Sequence, residues 1–434
     1  MSKAFKIIKI TWEFAYIAAF IFLINSNNYA QSQKKNTKLL PKLLKNERLF
    51  DSILTKSNDY EVQIIYTKIK REKDKINYID YHYNVNKNKY FYPSTTVFLP
   101  IATLTLEKIN ELAKEHDIDK HRHVRIDNAL TQKIMLYQDT SSANKYASFA
   151  HLIKKMFLSG DKISCNFCYD FLNQRHLNER MHSLGYHNSW FLHKLDNASP
   201  INSRQSNNVT FFRADVQSYY IDIIYLKRHP TIIPFYSVYV DKGEYNPVDY
   251  YANQPKTLLA ARFLRNGDIV DSLVDFTHRN KFTIEDMHGF LKSLIFPEIY
   301  GNKFGLSEDD YAFLYQQMLV NNNLNYILND KLDEPSIKIF NNSGKGAGFM
   351  IDNAYVVDTK NGVDFFLTIV IKCNKNGIFG EKYYEYEKTG LLFMKNISNL
   401  IHQYEINEQE SFVNFDSFLS KIKDKEELKP ENLK

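Results

Sequence analysis

Segments that alternate like β-strands stand at the two ends of this chain, and helical segments fill the distance between them. Residues 61–68 (EVQIIYTK) and 78–85 (YIDYHYNV) alternate and are rich in β-branched and aromatic side chains, which predicts two paired strands. Residues 336–340, 348–357 and 363–373 predict three consecutive strands, with Asn361-Gly362 as a turn signal. Helical periodicity covers residues 95–114, 144–158, 166–184, 256–265, 284–294, 307–319 and 390–404, the sixth behind a Ser-x-x-Asp cap that starts at Ser307. Residues 186–256, with many Asn and Ser, predict long loops. A sheet assembled from both termini and covered by helices satisfies this order, an α+β fold. With 44% apolar residues, 30 Tyr and 31 Phe, material for a large core is ample.

The first residues bear on the compartment. Lys3, Lys6 and Lys9 precede an apolar run at residues 14–24, and a polar stretch then leads to Tyr29-Ala30-Gln31. That sequence reads as a secretory signal peptide cut close to Ala30, giving a periplasmic or secreted protein. The run is shorter than the ~20 residues of a membrane span, and an uncleaved anchor is the competing reading. The net charge is +6, falling to +4 without residues 1–30, too mild and too evenly spread for a nucleic-acid partner. Three cysteines make a poor disulfide framework for that compartment. Cys165-Asn166-Phe167-Cys168 is formally C-x-x-C, but it sits in a helical run with no second pair for a metal. Buried small hydrophobes are the simpler reading, with thiol redox chemistry as a distant alternative. Lys120-His121-Arg122-His123 reads as an exposed loop, and no metal or cofactor is expected.

The stretch Tyr92-Pro93-Ser94-Thr95-Thr96-Val97-Phe98-Leu99-Pro100, running on as LTLEKINEL, follows the first two strands. It resembles the penicillin-binding serine hydrolases, and most closely a Bacteroidetes-type group related to class A β-lactamases. The residues from Ile153 to Leu158, followed by Cys168-Tyr169-Asp170-Phe171-Leu172, resemble the surroundings of that family's Ser-Asp-Asn element. Asn341-Asn342-Ser343-Gly344 and the segment from Gly348 to Asp358 resemble its Lys-Ser-Gly strand and the neighbouring strand. The likeness runs over residues 60–405. It implies a β-lactamase/DD-peptidase-like fold, with a helical lobe at about residues 115–330 and a cleft near Thr95, Asp161 and Ser343.

The resemblance also implies a chemistry, and the residues depart from it. The family uses a hydroxyl nucleophile at the start of a helix and a Lys one turn later, because i, i+3 spacing places the ammonium beside the hydroxyl. A second Ser relays the proton, and a basic strand residue holds a substrate carboxylate. Here the nucleophile position is Thr95 and the Lys position is Phe98. Gly160, Asp161 and Lys162 stand for Ser-Asp-Asn, while Asn342, Ser343 and Gly344 stand for Lys-Ser-Gly. No shift of frame yields Ser-x-x-Lys. Ser164-Cys165-Asn166 and Lys388-Thr389-Gly390 are chance matches, the latter leading into a helix instead of lying on a strand.

The domain organisation expected is a signal peptide at 1–30, a linker with a leading helix at 31–58, a β-lactamase-like domain at 59–405 and a charged tail at 406–434. The function expected is an exported, catalytically silent homologue acting as a binding or structural module, its partner being cell-wall material or another exported protein. The alternative is an active hydrolase of β-lactams, peptides or esters through a rearranged site, for instance with Lys162 as a migrated base.

Overall fold

The computed structural model describes residues 36–422, apart from 46–49, 73–74, 197–199, 213–236, 251, 253, 260–261 and 321–324. The segment expected to be a signal peptide lies outside the described residues. Helix α1 (Leu39–Lys45) and two short helical turns lead into strands β1 (Gln63–Glu72) and β2 (Lys75–Tyr83). A 3₁₀ turn at Ser94–Val97 opens helix α2 (Phe98–Leu112). Strands β3 (Val124–Asp127) and β4 (Ile134–Leu136) precede helices α3 (Phe149–Ser159), α4 (Lys162–Leu172) and α5 (Gln174–Ser183). Next come β5 (Asn208–Phe212), β6 (Ser237–Asp241), β7 (Arg262–Arg265) and β8 (Asp268–Asp271). Helices α6 (Ile284–Ile295) and α7 (Glu308–Val320) follow. The chain returns with β9 (Ile337–Gly346), β10 (Phe349–Asp358), β11 (Val363–Lys372) and the short β12 (Ile378–Phe379), then helices α8 (Leu392–Asn407) and α9 (Asp416–Ser420).

The main sheet has the order β2-β1-β11-β10-β9 and is antiparallel throughout. Ile64 faces Ile369 and Tyr66 faces Leu367, so the two ends of the chain are adjacent strands. Both faces of these strands are apolar because both are covered. Ile65, Ile69, Phe366 and Val370 join one core with α2, α3, α4, α6 and α7, while Ile64, Tyr66, Phe365 and Leu367 join a second core with α1 and α8. Burying each such Ile, Leu or Phe side chain contributes roughly 1.5–3 kcal/mol. The layout is the α+β, β-lactamase-like one expected, with helices on both faces of a sheet drawn from both termini.

Helix starts follow local chemistry. Ser148, Asp161 and Thr283 each accept a backbone N–H in the first turn of α3, α4 and α6. Ser307 accepts from Asp310 N at 3.1 Å while Asp310 accepts from Ser307 N, the expected reciprocal cap of α7.

Three expectations are corrected. Residues 256–265 are not a helix; β7 and β8 form a hairpin there around Asn266 and Gly267, both at positive φ. The run 166–184 is broken at Asn173, which takes a positive φ and caps α5 by accepting the His176 N–H on its side chain. The lobe at 115–330 is mixed, because it carries the sheet β4-β3-β5-β6 as well as helices. Residues 406–422, the first part of the charged tail, dock on the domain: Phe415 and Ile422 are buried in the core beside α7, and Gln316 donates to Ile422 O at 2.9 Å. Phe415, Phe418, Leu419 and Ile422 fall on one face of a helical turn, which gives this segment something to bury.

Candidate active site

The turn that opens α2 is pressed against the edge strand β9. Asn342 and Gly344 share the face of β9 that meets this turn, and the side chain of Ser343 points to the other face because strand residues alternate. Gly344 is required by contact. A Cβ there would lie 2.9 Å from Pro93 O and 3.2 Å from Thr95 N. The Thr95 hydroxyl donates to Ser343 O at 2.9 Å, and the Ser94 hydroxyl donates to Lys345 O at 2.9 Å. Asn342 Nδ2 donates to Thr96 O at 2.6 Å. Two hydroxyls and one amide therefore tie the turn directly to the strand.

Ser94 takes φ +50, a left-handed conformation that costs a non-glycine residue of order 1–3 kcal/mol and recurs at functional sites. Sequence reasoning missed its role. Nothing in the composition marks a serine for positive φ, and a hydroxyl proton donor to a strand carbonyl leaves no spacing signal.

Of the residues singled out from sequence, Thr95, Asn342, Ser343 and Gly344 come together here. Phe98 follows one turn on and is buried in the core beneath. Residues 160–162 form the junction between α3 and α4. Gly160 closes α3 at φ +69 and Asp161 caps α4. Burial pushes the Asp161 carboxyl up, but the Ser164 hydroxyl, the Ile163 N–H and Lys155 outweigh it and hold the group below its ordinary value. Lys162 Nζ lies 2.9 Å from Asp196 on the surface. Among the described residues, no hydrogen bond joins residues 160–162 to Thr95.

The other candidates do less. Cys165 and Cys168 are free thiols in α4, fully buried; burial pushes Cys168 up to about 12 and Cys165 well above its ordinary value, which makes both poor nucleophiles. The stretch 120–123 is not the exposed loop expected, since Lys120 is bound to Asp309 and Asp310 and His123 is buried. Burial lowers His123 to about 4, so it is neutral. Among the described residues, no three His, Cys, Asp or Glu side chains converge on a metal-sized space. Nor is any described helix long and apolar enough to cross a membrane.

Residues 47–217 match the family model described as "Beta-lactamase enzyme family". No curated protein matches the sequence. Similar solved structures include PBP-A (12% identity, TM-score 0.49), covering 85% of this chain and 97% of that one. The chromosome-encoded β-lactamase of Vibrio parahaemolyticus is 13% identical with a TM-score of 0.46, covering 85% of this chain and 100% of that one. A β-lactamase from Xanthomonas campestris pv. campestris is 11% identical with a TM-score of 0.46, covering 81% and 98%. The matched segment holds the Thr95 turn, α2 and the junction at residues 160–162, so over that part the chain is similar to the β-lactamase enzyme family.

Proposed function

We propose that this protein is an exported, catalytically silent relative of the serine β-lactamases that has kept the fold as a binding or structural module, its partner being cell-wall material or another exported protein. The observation that carries this reading is the Thr95 hydroxyl, whose proton goes to a backbone carbonyl while the next turn offers the buried ring of Phe98. A carbonyl oxygen is no base. An alcohol that donates to one stays protonated and weakly nucleophilic at neutral pH. Asn342 is neutral, so the strand has no cation there to hold a substrate carboxylate. The methyl group on Cβ of Thr95 further restricts its χ1. Lys162, the residue that could have served as a migrated base, is paired with Asp196 instead.

Intact-mass measurement of the protein purified from its native host tests both halves of the proposal. The mass expected is that of a chain starting close to Gln31, unchanged after incubation with excess penicillin. An adduct mapping to Thr95 or Ser94 overturns the silent reading and favours the rearranged hydrolase; a mass that retains residues 1–30 overturns cleavage.

A further inference from the structure

Beside this turn, Tyr92, Asp196, Val274, Asp275, Phe276 and Arg279 line an open pocket of about 310 Å³. It adjoins the Thr95 turn: a Cβ built on Gly346 would lie 2.9 Å from Ser94 Oγ and 3.4 Å from Tyr92 Cδ1. Its aromatic wall is braced from behind. The Tyr92 ring stacks on His193 at 6.0 Å and meets Phe276 edge-on at 6.0 Å, and Phe276 packs on Phe379 at 5.5 Å.

The charges around the cavity are unequal in their commitments. Asp196 is paired with Lys162 at 2.9 Å, and Asp275 accepts the Thr277 N–H at 2.7 Å. Arg279 donates its backbone N–H to Phe276 O at 3.0 Å, but its guanidinium has neither a hydrogen bond nor a carboxylate partner among the described residues. A guanidinium presents a planar fork that matches a carboxylate in two parallel hydrogen bonds.

We propose that this cavity binds a small monocarboxylate with a flat apolar body, its carboxylate on Arg279 and its body against Tyr92 and Phe276. The volume lies at the lower end of ligand pockets, which suits a molecule of a single ring. Asp196 and Asp275 also line the cavity and repel more highly charged anions such as phosphate more strongly than a monocarboxylate. The inference rests on the binding-module reading and places its ligand next to the Thr95 turn instead of within it.

Calorimetric titration of the full chain with benzoate, benzamide and inorganic phosphate tests this. Benzoate is expected to bind at least tenfold more tightly than benzamide, and phosphate not to displace it. Arg279→Gln is expected to weaken benzoate at least tenfold, and Arg279→Lys by less, with melting temperatures close to the parent because the guanidinium makes no hydrogen bond or ion pair among the described residues. Undiminished benzoate binding by Arg279→Gln overturns the proposal, as does equal binding of benzamide or displacement by phosphate. These outcomes are separate from penicillin labelling. An adduct at Thr95 refutes the silent reading whatever benzoate does, and failed benzoate binding without an adduct refutes only the pocket.

Discussion

Lys292 carries an ammonium into the core with 1% of its surface exposed. Its Nζ lies 2.9 Å from Asp80, which also accepts from the Thr67 hydroxyl at 2.5 Å. Thr67 Oγ1 lies 2.6 Å from His288 Nε2, and His288 Nδ1 lies 2.7 Å from Thr368 Oγ1. The group thus ties α6 to β1, β2 and β11. Burial lowers the Lys292 ammonium, with Asp80 opposing the shift, and lowers His288 to about 3. Removing one partner leaves the other charge buried and uncompensated, so Lys292→Met is expected to cost about 3–5 kcal/mol in urea unfolding. Asp80→Asn combined with Lys292→Met is expected to recover a substantial part, since no bare charge then remains. Single residues were unevenly legible in the sequence. The replaced positions Thr95, Phe98 and Asn342 stand out because their flanks resemble the family, whereas Lys292 and Asp80 lie 212 positions apart with nothing local to connect them.

At the scale of elements, α8 rests on the sheet through a carboxyl group that burial pushes up to about 7 from an ordinary 4.5. Glu405 accepts the Tyr66 hydroxyl, and Lys68 Nζ is 3.9 Å away. Between these two values the folded protein keeps a proton that the unfolded chain has released. Stability from this group is therefore whole below about pH 4.5, falls as pH rises toward 7, and is flat above. Glu405→Gln is expected to remove that slope and to stabilise the protein at pH 8 by up to about 3 kcal/mol, read from urea midpoints at pH 5, 6, 7 and 8. The element pattern was legible wherever apolar spacing and caps agreed, as at Ser307. It failed at residues 256–265, where apolar residues at helical intervals outweighed the Asn266-Gly267 turn that holds the β7–β8 hairpin.

For the whole molecule, the decisive contact is β1 against β11, six residue pairs that join the two ends of the chain. Neither core can close before those strands meet, which predicts slow folding and a single unfolding transition. A fragment of residues 59–335 keeps β1, β2 and helices α2 to α7 but loses α1, α8 and strands β9, β10 and β11. It is expected to show no cooperative melt by circular dichroism, whereas the full chain melts in one step. This architecture was legible in the sequence because strand patterns stand at both ends. The tie between the Thr95 turn and β9 was not, because it depends on where two hydroxyl protons of one turn are directed.

Strand β9 ends the main sheet, and an open strand edge is a template onto which another chain can add. At Ser343 and Lys345 its outward carbonyls already receive the Thr95 and Ser94 hydroxyls. The contacts that engage the Thr95 and Ser94 hydroxyls also stopper the sheet along that stretch, so the same two side chains guard the protein against strand-by-strand self-association.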